Sequence, residues 1–336
     1  MNFVSVGDMA QMFRLQRQNV AIKSEMSRLT EELTTGTASD VGAAVHGDYS
    51  TISGIDRSLR TLEAYKFASQ EAETLSGTMQ AVTDTLSSIA SGFGSALLTA
   101  GSSTSASMID AAANSAREKF SSAVSALNSN TSGRFVFSGQ TTDVRPLADS
   151  DTILSALSSL VASETTASGA IDAIDAWFNA PAGSGGYLDI AYQGGTSFTP
   201  FRIGEGEQVS LEVTAADQEV RDFLQSLSIG ALLAEGLFAG DTANRALIAT
   251  AAGEQVLTSA GSLTNIGSSI GAAQERIETI LTRNSSESSS LTLSRNQLTA
   301  VDEYDSATAL QALQTQMETL YTLTARLANL SLTDYM

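Results

Sequence analysis

Near the start of the chain, apolar-phase residues return at alternating steps of three and four: Met12, Leu15, Asn19, Ile22, Met26, Leu29 and Leu33. That spacing keeps every member on one helix face and predicts a heptad stripe. Leu75, Met79, Val82, Leu86, Ile89, Phe93 and Ala96 repeat it. Ile55, Leu59, Leu62, Tyr65, Ala68 and Ala72 join that run after one three-residue phase slip. Ile109, Ala113, Ala116, Phe120, Ala123 and Leu127 form a narrower, alanine-rich stripe suited to close helix packing. Towards the end, Leu263, Ile266, Ile270, Ala273, Ile277, Ile280, Asn284, Glu287, Leu291, Ser294, Leu298 and Val301 hold the heptad again. A helix of that extent spans about 60 Å, more than a globular domain of this size needs. The phase breaks at Asp302-Glu303-Tyr304-Asp305 and resumes as Leu310, Leu313, Met317, Leu320, Thr324 and Leu327, predicting two collinear helices with a joint.

The middle reads differently. All the prolines, Pro146, Pro181 and Pro200, lie there, which leaves both flanks free for long helices. Arg134 to Gly139 reads as a short strand and turn. Tyr187 to Gln193, Gly194-Gly195 and Thr196 to Ile203 read as a hairpin whose two-residue turn tolerates positive φ. Val209, Leu211 and Val213 alternate with Ser210, Glu212 and Thr214, the period of a half-buried strand. Helices are expected over Asp151 to Ala162 and Asp217 to Leu233, each begun by its aspartate as a cap. A mixed domain is thus inserted into a helical rod built from the two ends of the chain.

Composition narrows the function. With 18 Lys and Arg against 37 Asp and Glu, the 336 residues carry a net charge of −19, which repels nucleic acid. The absence of cysteine removes disulfides, thiolate metal sites and Cys nucleophiles, and a single histidine, His46, removes His-pair zinc motifs. Charged residues make up only 16%, against an ordinary ~25%, giving a polar but weakly charged surface. The opening MNFVSVGDMAQMFRLQ lacks a basic n-region followed by an apolar run, so no cleaved secretory signal is expected. No stretch approaches a membrane span; the most apolar, Ile229 to Gly240, is short and contains Glu235.

Motifs that could carry chemistry each have a plainer reading. Gly267-Ser268-Ser269-Ile270-Gly271 matches a nucleophile-elbow pattern, but Ile270 is a core position of a heptad and His46 is far away in the chain. Gly183-Ser184-Gly185-Gly186 neither leads from a strand into a helix nor precedes a lysine, so it does not read as a phosphate loop. Asp302, Glu303 and Asp305 lack the glycine and terminal Glu of a calcium loop and read as helix caps. His46 sits in a Gly/Ala-rich bend as a solvated or packed side chain. Asn19 and Asn284 each interrupt an apolar stripe, either as a wet seam or as a register device that demands a matching partner. No catalytic, cofactor-binding or metal-ligating set is expected. The stripes over 12–33 and 310–330 are expected to pair within the chain and also to bind other copies, since two helices alone bury too little.

Several stretches now resemble a known family. Long helices at both ends around a β-containing middle resemble the flagellin superfamily of axial flagellar proteins. Within it, Gly133-Arg134-Phe135-Val136-Phe137-Ser138-Gly139-Gln140-Thr141-Thr142 is similar to a strand of the hook–filament junction family, also called hook-associated protein 3. Tyr192-Gln193-Gly194-Gly195 and Ile203-Gly204-Glu205-Gly206 fit that family's middle domain. Leu310 to Tyr321 and Ala328 to Leu332 resemble its C-terminal helix. Ser39-Asp40-Val41 departs from the usual Ser-Asp-Asp-Pro turn, and Leu86-Ser87-Ser88-Ile89-Ala90-Ser91 replaces the stretch flagellins proper carry on their second helix.

The resemblance implies a non-enzymatic axial component that joins hook to filament, with divergent flagellin as the runner-up and a secreted ligand-binding module as a more distant one. The expected fold is mainly α with a small β-containing inserted domain, a flagellin-like, coiled-coil-like rod of paired N- and C-terminal helices. Residues 1–45 with 303–336 would form a terminal helical domain lining an inner tube and disordered in the monomer. Residues 46–139 with 241–302 would form the rod, and 140–240 an outer mixed α/β domain. The subunit-packing residues would be Met12, Leu15, Asn19, Ile22, Met26, Leu29, Leu33, Leu310, Leu313, Met317, Leu320 and Leu327. Implied partners are further copies of the chain, a neighbouring hook-associated protein, flagellin, and an export chaperone at the C-terminal helix. The implied location is extracellular, at the hook–filament junction, reached by the flagellar type III route.

Overall fold

The computed structural model describes the backbone of residues 6–103 and 105–333 and the side chains of residues 9–103 and 105–326. It is 73% helical, with two small two-stranded sheets: a mainly α fold with a small β insert. By packing, the chain divides into two compact units, Met1–Leu62 with Ser286–Met336, and Glu63–Ser285.

In the first unit, α1 (Val6–Thr35) ends at Gly36, whose φ of +69° lies in the left-handed region that glycine enters without strain. A single turn, α2 (Val41–Ala44), follows, and the Asp40 carboxylate caps it by accepting from the Ala43 N–H. α3 (Ser50–Ala90) and α10 (Thr242–Thr299) are long enough to contribute to both units. After α10 the chain breaks where the phase does, and α11 (Glu303–Thr333) begins. Asp302 caps it, its Oδ1 accepting from the Tyr304 and Asp305 N–H groups at 2.9 and 3.1 Å.

The second unit is organised around α5 (Ala106–Leu127) and α9 (Gln218–Leu232). The alanine stripe of α5 is buried throughout, and α9 is buried on all sides from Phe223 to Leu232. Small residues permit this approach: a Cβ on Gly230 would meet the Ala116 Cβ at 3.0 Å. α4 (Phe93–Ser103) crosses α10 in the same manner, with a Cβ on Gly253 meeting the Gly94 carbonyl oxygen at 2.7 Å. α6 (Ser150–Val161) and α7 (Ala167–Asn179) complete the helical layer.

The middle of the chain departs from the sequence expectation in several places. The run from Leu75 to Ala96 is broken: α3 stops at Ala90, and Gly92 at φ +76° turns the chain into α4. The strand at Arg134 is only Arg134–Phe135 (β2), paired with Asn130–Thr131 (β1) across Ser132-Gly133, both at positive φ. The hairpin expected over 187–203 does not form. Tyr187–Ile190 is instead a helical turn, α8, while Phe201–Gly204 (β3) pairs antiparallel with Glu207–Val209 (β4). Tyr187 is fully buried, stacks on Phe178 at 5.2 Å, meets Trp177 edge-on at 6.0 Å, and donates to the Ala215 carbonyl at 2.7 Å. That anchoring outweighs the hairpin preference of Gly194-Gly195.

The aspartate caps also differ. Asp149, not Asp151, occupies the N-cap position of α6. Asp217 does stand at the N-cap of α9, but its carboxylate turns back to accept from the Thr214 N–H and hydroxyl at 3.1 and 3.0 Å.

Candidate functional site

α1 and α11 run antiparallel within the first unit. At their joined ends, Thr37 and Ala300 form an antiparallel bridge, the Ala38 N–H donates to Thr299 O at 2.8 Å, and the Val301 N–H donates to Gly36 O at 3.3 Å. The breaks after α1 and before α11 are therefore one paired feature. Glu32 completes it. Its carboxylate is only 3% exposed and accepts from Arg28 Nη1 at 2.7 Å and from the Ser39 N–H at 3.0 Å.

Between the two helices lies a thin seam. Ile22, Met317 and Leu320 are buried and make a small cluster, with Leu15, Met26 and Leu313 packed around it. Leu29 is buried as well, while Asn19, Leu33 and Leu310 are half-buried. Met12, placed in the same stripe by the heptad, is 70% exposed. Leu327 lies outside the residues whose side chains are described. Asn19 directs its amide to Met317 Sδ at 3.7 Å, and the Asn19 amide and Lys23 ammonium beside Tyr321 hold its phenol below the usual tyrosine range. A groove of about 720 Å³ runs beside this seam, lined chiefly by Lys23, Met26, Thr30, Glu31, Thr34 and Met317.

The stripe reading did not single out the other face of α1. Met9, Phe13 and Val20 are 60–63% exposed and recur at steps of four and seven, well away from the face that carries Leu15 and Ile22. Arg17 lies over the Phe13 ring at 5.7 Å. The signal was present as apolar residues outside the heptad phase. Glu32 was also missed, because an acidic residue carries no burial signal until its partners are known.

The remaining motifs serve the fold. Gly267 to Gly271 lies inside α10, Ile270 is buried, and Ser268 and Ser269 donate to the Thr264 and Ile266 carbonyls. The Gly183–Gly186 loop is filled by its own chain. Asp189 accepts from the Gly183 and Gly185 N–H groups at 2.7 Å each, and these bonds hold its carboxyl below the usual range. His46 is exposed in a turn at φ 54°. Asn284 is buried in the second unit, and its amide donates to the Ile203 carbonyl at 2.8 Å. Among the described residues, no group of three or more His, Cys, Asp or Glu is placed to hold a metal, and no helix is long and apolar enough to cross a membrane.

What the site consists of, then, is a pair of end helices with more apolar surface than they bury in each other. Residues 254–336 match the family model described as the bacterial flagellin C-terminal helical region. The match takes in α11 and most of α10. Over these residues the chain is similar to that family. No curated protein matches the chain.

Proposed function

We propose that the chain is an axial adaptor joining the flagellar hook to the flagellin filament, assembled through its terminal helices. The observation that carries this reading is the surplus of α1: Met9, Phe13 and Val20 are 60–63% exposed on the face turned away from the seam with α11. Large exposed apolar side chains on one face mark an association surface. Support for the junction role comes from the resemblance at Gly133 to Thr142 and in the C-terminal helix, together with the departures from flagellin proper.

In this reading residues 1–45 with 303–336 line an inner tube and order on assembly. Residues 46–139 with 241–302 form the rod around it, and 140–240 face outward. The chain leaves the cell by the flagellar export route, with a chaperone on α11, and meets a hook-associated neighbour below and flagellin above. A second reading, a divergent flagellin that builds the filament itself, is favoured by the match of residues 254–336 to a flagellin model.

Labelled protein on cells separates the two. An adaptor gives a band at one end of the filament, and its deletion leaves bare hooks with flagellin released to the medium. A continuous label along the filament, or long homopolymers grown from purified chain, would establish the flagellin reading instead.

A further inference from the structure

Two connections of unequal length cross the joint in the first unit. Residues 36–49 lead from α1 to α3, whereas only residues 300–302 lead from α10 to α11. The short connection has nothing to give. Its main chain is bonded to residues 36–38, Thr299 and Ser306 on either side of it are buried, and Asp302 is fixed as the cap of α11. At about 3.3–3.6 Å per extended residue, so short a link cannot absorb a change of angle by lengthening.

The long connection can. It leaves the bridge at Ala38 and enters α3 six residues ahead of Asp56, whose partner Arg295 stands five residues ahead of Ala300. Its two ends therefore lie at nearly the same level of α10, and the chain between them is coiled slack. That coil is the turn α2 and a return through His46 and Gly47 at positive φ, closed by the Gly47 N–H on Gly42 O at 2.9 Å. None of residues 36–49 is buried, so uncoiling them opens no core. Glu32 spans the bridge from the α1 side: its buried carboxylate accepts from the Ser39 N–H at 3.0 Å while Arg28 holds it at 2.7 Å.

We infer that this joint is a one-sided hinge, in which residues 36–38 and 299–301 are the pivot, residues 39–49 the slack, and the Glu32–Ser39 bond the latch. When the latch opens, the coil pays out on the α1 side alone, so α1 and α11 tilt together towards the α11 side without parting. An end pair whose angle adjusts without unzipping suits a chain that meets two unlike neighbours, but the hinge does not rest on that role.

The test uses the full chain in pulsed electron paramagnetic resonance. The chain has no cysteine, so spin labels attach only where one is introduced. One pair, at Ser24 and Ser58, reports across the pivot; a reference pair, at Gln16 and Thr308, lies within the end helices, and all four positions are exposed. The unaltered chain should give one distance for each pair. Glu32→Ala removes the acceptor and Ser39→Pro the donor, so each should replace the single distance from 24 to 58 by a spread and leave the reference distance alone. Because the two variants break one bond from opposite sides, either suffices if circular dichroism shows that the other has lost helix. Deleting residues 43–46 from the Glu32→Ala chain should bring the single distance back by removing slack. An unchanged distance in the folded latch variants overturns the hinge, as does a spread that survives the deletion. Spreading of the reference pair along with the first means that the end helices part, and a spread already present in the unaltered chain means that no latch holds; either result overturns the proposal.

Discussion

The two ends of the chain and its middle solve the burial problem in opposite ways. In the second unit α9 is surrounded, so its apolar side chains and even Gln225, Ser226 and Ser228 are buried, and the apolar stripe of α5 has no exposed member. In the first unit, α1 against α11 seals a cluster of only Ile22, Met317 and Leu320, and leaves Val20 and Phe13 in water. A helix can satisfy one neighbour with a single heptad face; saturating its surface takes neighbours on several sides. The middle has them within its own chain. The ends, among the residues described, do not, and they keep apolar surface in water.

The comparison breaks hardest at Leu320. Leu320→Asp puts an unpaired carboxylate into the thin seam, and incorporation into polymer should be abolished while the melting transition of the second unit stays in place. Normal incorporation measured on cells would mean the seam is not part of assembly. In the middle the corresponding loss is thermodynamic. Phe120 is fully buried, so Phe120→Ala should cost about 3–5 kcal/mol by urea denaturation and leave terminal association unchanged where the protein remains folded.

Smaller effects sharpen the contrast. Asn284→Ala removes the donor to the Ile203 carbonyl and should destabilise the second unit by about 1–3 kcal/mol, measured by the same titration. Asp217 gives a pH signature, because burial raises its carboxyl above the ordinary aspartate range despite the Thr214 bonds. The native state then holds a proton that the unfolded chain has released, so stability declines as pH rises from the ordinary aspartate range through the raised value. Urea midpoints followed upward from the ordinary aspartate range should show this decline, and Asp217→Asn should remove it. Least affected should be Arg276→Ala, which deletes a partly exposed ion pair to Glu207 at 2.7 Å and should cost under about 1 kcal/mol.

Much of this architecture was legible because helices are local. Leu15, Ile22 and Leu29, or Leu263 through Ile280, declare a buried face by spacing alone, and the phase break at Asp302 marks a real joint. The seam at Ile22, Met317 and Leu320 was legible for the same reason. α7 was not, although Ala170, Ile174 and Trp177 are spaced for a helix, because the run is short and Gly169 and the alanines weaken the pattern. Nor was the conformation of 187–203, where the local turn preference of Gly194-Gly195 gives way to the packing of Tyr187 against Trp177 and Phe178.

By itself, then, the sequence determined most of the long helical segments, the face of each that carries the heptad, the joint at Asp302, and that chemistry dependent on cysteine or paired histidines is absent. Tertiary structure alone decided which apolar faces are used up and which are left over. Val20 and Leu227 are both ordinary apolar residues in the sequence, yet one is 63% exposed and the other fully buried. It alone decided that the breaks at Gly36 and Ala300 are bridged, and that Glu32 lies buried between Arg28 and the Ser39 N–H. The reason is physical. Periodicity is a property of one segment, whereas burial and polar satisfaction depend on which distant segments arrive beside it.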